Sequence, residues 1–186
     1  MAISEVEAVN SILVALGEAP VTSIASPQGA LVASATEALG RHRVEVCSRP
    51  YFFNTVERTL SPNGSGRIAL GPTVLDVLPR AASDRHRYTI RDGSLYDLVD
   101  DTDQFTGDVT LRVVEELAFE ELPQAVRAYV AASALMELVG AVADTSVAAV
   151  AQSRYLKAQA DFARHVRPAG RYSFFDPATR SRFWRL

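Results

Sequence analysis

The sequence predicts an α+β fold: a four-helix bundle with a small antiparallel β-sheet inserted between helices 2 and 3, followed by an extended C-terminal tail. Three observations predict it. Apolar residues recur every three or four positions across both 4–49 and 123–166, the period of helices buried on one face. Over 51–116 the period falls to two, and turn residues appear at short intervals. Beyond Pro168 and Gly170 neither period continues. The chain thus divides into one domain, about 1–166, and a tail, 167–186.

Helix 1 is predicted at about 4–16. Ser4 and Glu7 have the spacing of a capping box, and Val6, Val9, Leu13 and Leu16 form the apolar stripe. Gly17 and Pro20 end it. Helix 2 is predicted at about 27–49, with Leu31, Ala35, Ala38, His42 and Val46 on one face. Its small alanines invite close approach by another helix. Pro50 ends it, because proline disfavours the helical region for the residue before it.

The insertion begins with alternation over Phe53–Arg58, then the turn Ser61-Pro62-Asn63-Gly64. Arg67–Leu70 and Thr73–Leu78 are short strand candidates. His86–Arg91 and Ser94–Leu98 flank Asp92-Gly93, the strongest hairpin signal in the chain. Val109–Glu115 reads as the last strand. Helix 3, about 123–140, opens at Pro123, where a missing N–H costs nothing. Val126, Val130, Ala134 and Leu138 give it a four-residue series, widened by Tyr129, Met136 and Val139, and Gly140 is expected to weaken or end it. Helix 4, about 146–166, is capped from Asp144, Thr145 or Ser146 and carries Val147, Val150, Tyr155, Phe162 and Val166.

Composition is globular: 48% of the 186 residues are apolar and 22% charged, which excludes a disordered chain. No membrane span is indicated, and the N-terminal residues lack the basic start and apolar run of a signal peptide, so folding in a cytoplasm is expected. The lone Cys47 cannot form an internal disulfide and reads as a buried thiol. The net charge of −3 argues against a surface that grips nucleic acid throughout. Yet 164–186 carries six arginines against Asp176, leaving −8 on the remainder. Such asymmetry between body and tail points to a tail that meets a partner.

Motifs for chemistry are weak. His42, His86 and His165 lie in different elements without the spacing of a zinc site, and no metal or cofactor is expected. Asn63-Gly64-Ser65-Gly66 lacks a P-loop lysine and reads as a turn. Two acidic groups, Asp97–Asp103 and Glu115–Glu121, read as solvated surface. Two of these carboxylates could instead serve a glycan hydrolase, or the acids could line a channel and repel DNA. In the tail, Arg171, Tyr172, Phe174, Phe175, Arg180, Arg182, Phe183, Trp184 and Arg185 have the composition of a protein-binding hot spot. A nucleic-acid arm and a tail folded on its own chain are the alternatives.

One set of short motifs occurs in a telling order. Ser4–Leu13 is followed by Gly17-Glu18-Ala19-Pro20-Val21, then by Tyr51-Phe52-Phe53-Asn54, Leu60-Ser61-Pro62 and Ile68-Ala69-Leu70. Next come Arg91-x-Gly93-x-Leu95-Tyr96-Asp97, Phe105-x-Gly107-x-Val109, and Phe119-x-x-Leu122-Pro123 with Arg127-x-Tyr129. Over about 4–140 this order resembles the tail tubular protein A family of short-tailed bacteriophages, although tryptophan is usual at the position of Tyr51. The resemblance implies a non-enzymatic virion protein without cofactors: a homo-oligomer, a ring of twelve. That ring would join the portal to the tail nozzle, help seat tail fibres and pass double-stranded DNA. It offers no catalytic residues. A virion-borne glycan hydrolase and a small DNA-binding protein are the competing classes.

Overall fold

A computed structural model describes residues 3–25, 29–81, 86–142 and 145–166. It has the predicted order: two helices, a β insertion, then two helices. The helices are α1 (Glu5–Ala15), α2 (Ala30–Cys47), α3 (Gln124–Val142) and α4 (Thr145–Val166). The strands are β1 (Thr55–Leu60), β2 (Val74–Pro79), β3 (Tyr88–Arg91), β4 (Ser94–Asp97) and β5 (Val109–Glu115). Among the described residues, no helix is long and apolar enough to cross a membrane.

The capping box is present. The Ser4 hydroxyl accepts from the Glu7 amide at 3.2 Å, and the Glu7 carboxylate accepts from the Ser4 amide at 2.7 Å. At the other end Gly17, with φ of 84°, closes a Schellman motif: the Gly17 amide donates to Val14 O and the Glu18 amide to Leu13 O. The buried face is turned slightly from the predicted stripe. Ala8, Val9, Ile12 and Leu13 are fully buried, while Val6 and Leu16 are half-buried.

Ala35 and Ala38 of α2 are fully buried, as close helix approach requires, with Val32, Leu39, Val46 and Cys47 completing its apolar face. Leu31 and His42 lie off that face, half-buried. α3 lies against each of the other three helices, and its series Val126, Val130, Ala134 and Leu138 is buried. It runs through Gly140 to Val142, so the glycine does not end it: packing overrides a local propensity cost of about 1 kcal/mol. α4 buries Ala151 and Ala158 against the bundle but leaves Val150 exposed, contrary to the predicted stripe.

The insertion forms two sheets instead of one. β5 is the centre of a three-stranded antiparallel sheet, paired from Thr55↔Val114 to Leu60↔Val109 on one side and with β2 on the other. β3 and β4 form a separate hairpin whose Asp92 and Gly93 have φ of 50° and 68°, the two positive values of a type I′ turn. Arg67–Leu70 is not a strand. Gly66, with φ of 79°, and the Gly71-Pro72 pair bracket it, and it touches β4 through the single bridge Ala69↔Ser94. β1 also starts later than predicted, because residues 51–54 form a turn.

Two apolar clusters result. One fills the helical bundle. The other, with Ile68, Val77, Leu95, Leu111 and Val113, holds the hairpin against the sheet. Arg43 of α2 crosses between the helical and β parts, donating to Glu116 at 2.8 Å and to Leu117 O at 2.9 Å. The predicted extended tail, 167–186, lies outside the described residues.

Candidate functional site

The nine predicted partner-binding residues, Arg171 to Arg185, lie outside the described residues, so the site begins where they leave. The last turn of α4 reaches an aromatic pole. Tyr129 stacks on Phe162 at 4.7 Å between ring centres, Tyr51 stacks on Phe53 at 5.3 Å, and Tyr51 meets Phe162 edge-on at 5.5 Å. Phe52 lies against His165 at 5.3 Å and remains 65% exposed. The aromatic start of the insertion and the last turn of α4 therefore meet at one surface.

A second feature is the loop after β4. Asp97 is buried at its root. Its carboxylate accepts the Val99 amide at 2.8 Å, the Asp100 amide at 3.4 Å, and pairs with His86 Nδ1 at 2.6 Å. Burial opposes ionisation of Asp97, but these donors outweigh it and hold its pKa below the ordinary aspartate value of 3.8. A depressed carboxyl pKa stabilises the fold above that value, and the contribution is lost as pH falls through the folded-state pKa. The Asp97 amide and carbonyl also bridge to Thr102. The loop is thus fastened at both ends while Leu98 and Val99 point outward, 49% and 44% exposed.

His86, Asp97 and Asp100 are the one group of potential metal ligands that the fold brings together among the described residues. Sequence spacing missed it, because His86 and Asp97 meet only through hairpin pairing. Asp97 already has donors on both oxygens, so the arrangement reads as a loop anchor. The cleft beside it, about 590 Å³, is open and includes Arg80, Thr102 and Asp108.

The second acidic group is occupied structurally. Glu115 pairs with Arg58 at 2.7 Å and Glu116 with Arg43. Glu121 accepts the Ala118 amide at 2.9 Å, and Glu120 accepts the Glu5 amide at 3.2 Å. Another charged cluster clamps α2 to α3: Arg41 bridges Glu37 and Glu137, which raises the Arg41 pKa and lowers that of Glu137. Burial pushes the Cys47 thiol up, away from a reactive thiolate.

A groove of about 410 Å³ runs between α1, α3 and α4. Its floor is Ala128, Ala131, Ala132 and Leu135 of α3 with Ala158, and its rim carries Glu7, Arg154, Lys157 and Asp161. Glu7 is held in the capping box and Asp161 pairs with Arg164. Among the described residues, Arg154 and Lys157 have no ion-pair partner. Sequence periodicity did not single out this groove, because its floor is alanine and its boundaries come from three separate helices.

Comparison with known proteins bears on all of this. The family described as "Tube: Tail tubular protein" matches residues 6–172, covering both helical pairs, the insertion and the first residues of the tail. The tail tubular protein A of Klebsiella phage KP34 is 39% identical over 129 residues, 68% of this chain and 67% of that protein.

Proposed function

The chain belongs to the tail tubular protein family, a structural, tail-associated adaptor and not an enzyme, and from that premise we propose that its copies close into a ring, twelve in number, between portal and tail nozzle in the virion neck. Double-stranded DNA passes through the lumen, and tail fibres can seat on the outside. Assembly takes place in the host cytoplasm. The observation that carries this reading is the extent of the family match, 6–172, over helices and insertion together. Heterologous contacts that close on themselves generate such rings. A lumen that passes a duplex must avoid neutralising phosphates, since affinity grows with each paired Lys or Arg.

Within this reading residues 1–166 are the adaptor domain and 167–186 the docking segment. Phe174, Phe175, Phe183 and Trp184 act as apolar anchors on the portal or a neighbouring copy. Arg171, Arg180, Arg182 and Arg185, with Tyr172, surround them. On the described part of the chain, the exposed Phe52 beside His165 offers a further apolar contact. Charge pairing there adds specificity more than affinity.

Native mass spectrometry of the chain mixed with its portal tests both parts. The full chain is expected as a ring of twelve bound to the portal. A chain lacking 170–186 is expected folded but unattached. Monomers or dimers alone with portal present would overturn the ring; full attachment of the truncated chain would move docking to the helical bundle.

A further inference from the structure

Two surfaces of this chain complement each other, and their residues do not overlap. The first is the groove between α1, α3 and α4, with its alanine floor and the two free cations Arg154 and Lys157. Val14 continues the α1 row of Glu7 and Ser11 at helical spacing, and Val150 continues the α4 row of Arg154 and Lys157; they are 60% and 52% exposed. The second is the loop after β4, where exposed Leu98 and Val99 precede Asp100 and Asp101. The Asp100 carboxylate is 59% exposed, with His86 Nδ1 at 3.7 Å and the Asp97 carboxylate within 4.8 Å.

Seven large apolar side chains stand exposed among the described residues, and Val14, Val150, Leu98 and Val99 are four of them. Isolated exposure of one such residue is ordinary. Here exposed charge stands beside each apolar pair, Arg154 and Lys157 on the one surface and Asp100 and Asp101 on the other. That is the composition of the two halves of one interface.

We propose that the 98–101 loop of one copy inserts into the α1–α3–α4 groove of the next, and that this heterologous contact propagates around the ring. Leu98 and Val99 cover the alanine floor, while Asp100 meets Arg154 and Lys157. The proposal rests on the ring reading above and names the subunit contact within it. Two distinct surfaces are what a head-to-tail ring needs, because a two-fold contact would pair one surface with itself. The hydrogen bonds from the loop amides to Asp97 fix the loop before binding, which lowers the ordering cost of association. The basic C-terminal segment is a poorer occupant, since the rim carries the cations Arg154 and Lys157 against one acid without a cation partner, Glu7.

Charge exchange in the full chain, assembled with portal, tests this. Arg154→Glu with Lys157→Glu, and separately Asp100→Lys, should each weaken ring formation about tenfold or more, the effect of losing roughly 1.4 kcal/mol per contact. A chain carrying all three changes should recover the ring. Thermal melting should stay unchanged, because the altered side chains are exposed. If the natural chain forms rings and neither reversal weakens them, the contact lies elsewhere and the ring reading stands. If only the groove reversal weakens them, the groove holds another occupant, the portal or the basic tail, and the pairing is wrong. Failure of the triple change to recover the ring also overturns it. If the natural chain forms no ring with portal, the ring reading and this contact fall together.

Discussion

Asn54 shows how a single polar residue can join two parts of a fold. It is 1% exposed. Its side-chain amide donates to Cys47 O at 2.6 Å and Arg49 O at 3.1 Å, and its side-chain oxygen accepts from the Tyr51 amide at 2.8 Å. These carbonyls would otherwise be orphaned where α2 ends before Pro50. The Glu115 amide of β5 donates to Asn54 O, so helix end and sheet are registered by one residue. Asn54→Ala leaves buried backbone groups unpaired and should cost about 2–3 kcal/mol; urea unfolding measures it, and a loss under about 0.5 kcal/mol would mean water replaces the side chain. Arg127 works similarly, donating to Leu122 O at 2.7 Å, to Ile3 O at 2.9 Å and to Glu120 O. The motif residues that resembled the family therefore have folding roles: Arg91 covers the Tyr96 ring at 3.7 Å, Leu95 is buried, Asp97 anchors its loop, and Phe119 and Leu122 enter the bundle core.

At the scale of elements, what the sequence made legible followed local rules. The capping box, the Gly17 stop, the Asp92-Gly93 turn and the α3 series each depend on neighbours within a few residues, and each stands in the structure as predicted. The departures depend on distant partners. Arg67–Leu70 has strand-like residues but only one bridge available, and Gly140 stays helical because α3 lies among three other helices. Splitting the insertion into a sheet and a hairpin is a tertiary choice, set by the second core around Leu95 and Leu111. The His86–Asp97 pair and the α1–α3–α4 groove were likewise invisible, since the first forms only through hairpin pairing and the second joins three helices far apart in sequence. The hairpin offers the sharpest test. Gly93→Val places a β-branched residue at a φ of 68° and should lower stability by about 1 kcal/mol or more. No neighbouring atom lies within 4 Å of an added Cβ, so the cost would be backbone strain alone. An unchanged melting temperature would contradict the type I′ turn.

At the scale of the whole molecule, the helical bundle and the β insertion each have a core, and Arg43, Glu116 and Asn54 connect them. Several ion pairs tie the elements together, and two cations outside them, Arg154 and Lys157, border an apolar groove. An adaptor needs such surfaces: a firm body, contacts that repeat around an axis, and a segment that docks on something else. The most direct measurement is an image of the virion neck at a resolution that traces side chains. The account predicts twelve copies of this chain around the DNA channel, with residues 98–101 of each copy against α4 of the next and 167–186 on the portal or a neighbour. Density for this chain away from the neck, or present there as isolated copies without ring symmetry, would contradict it.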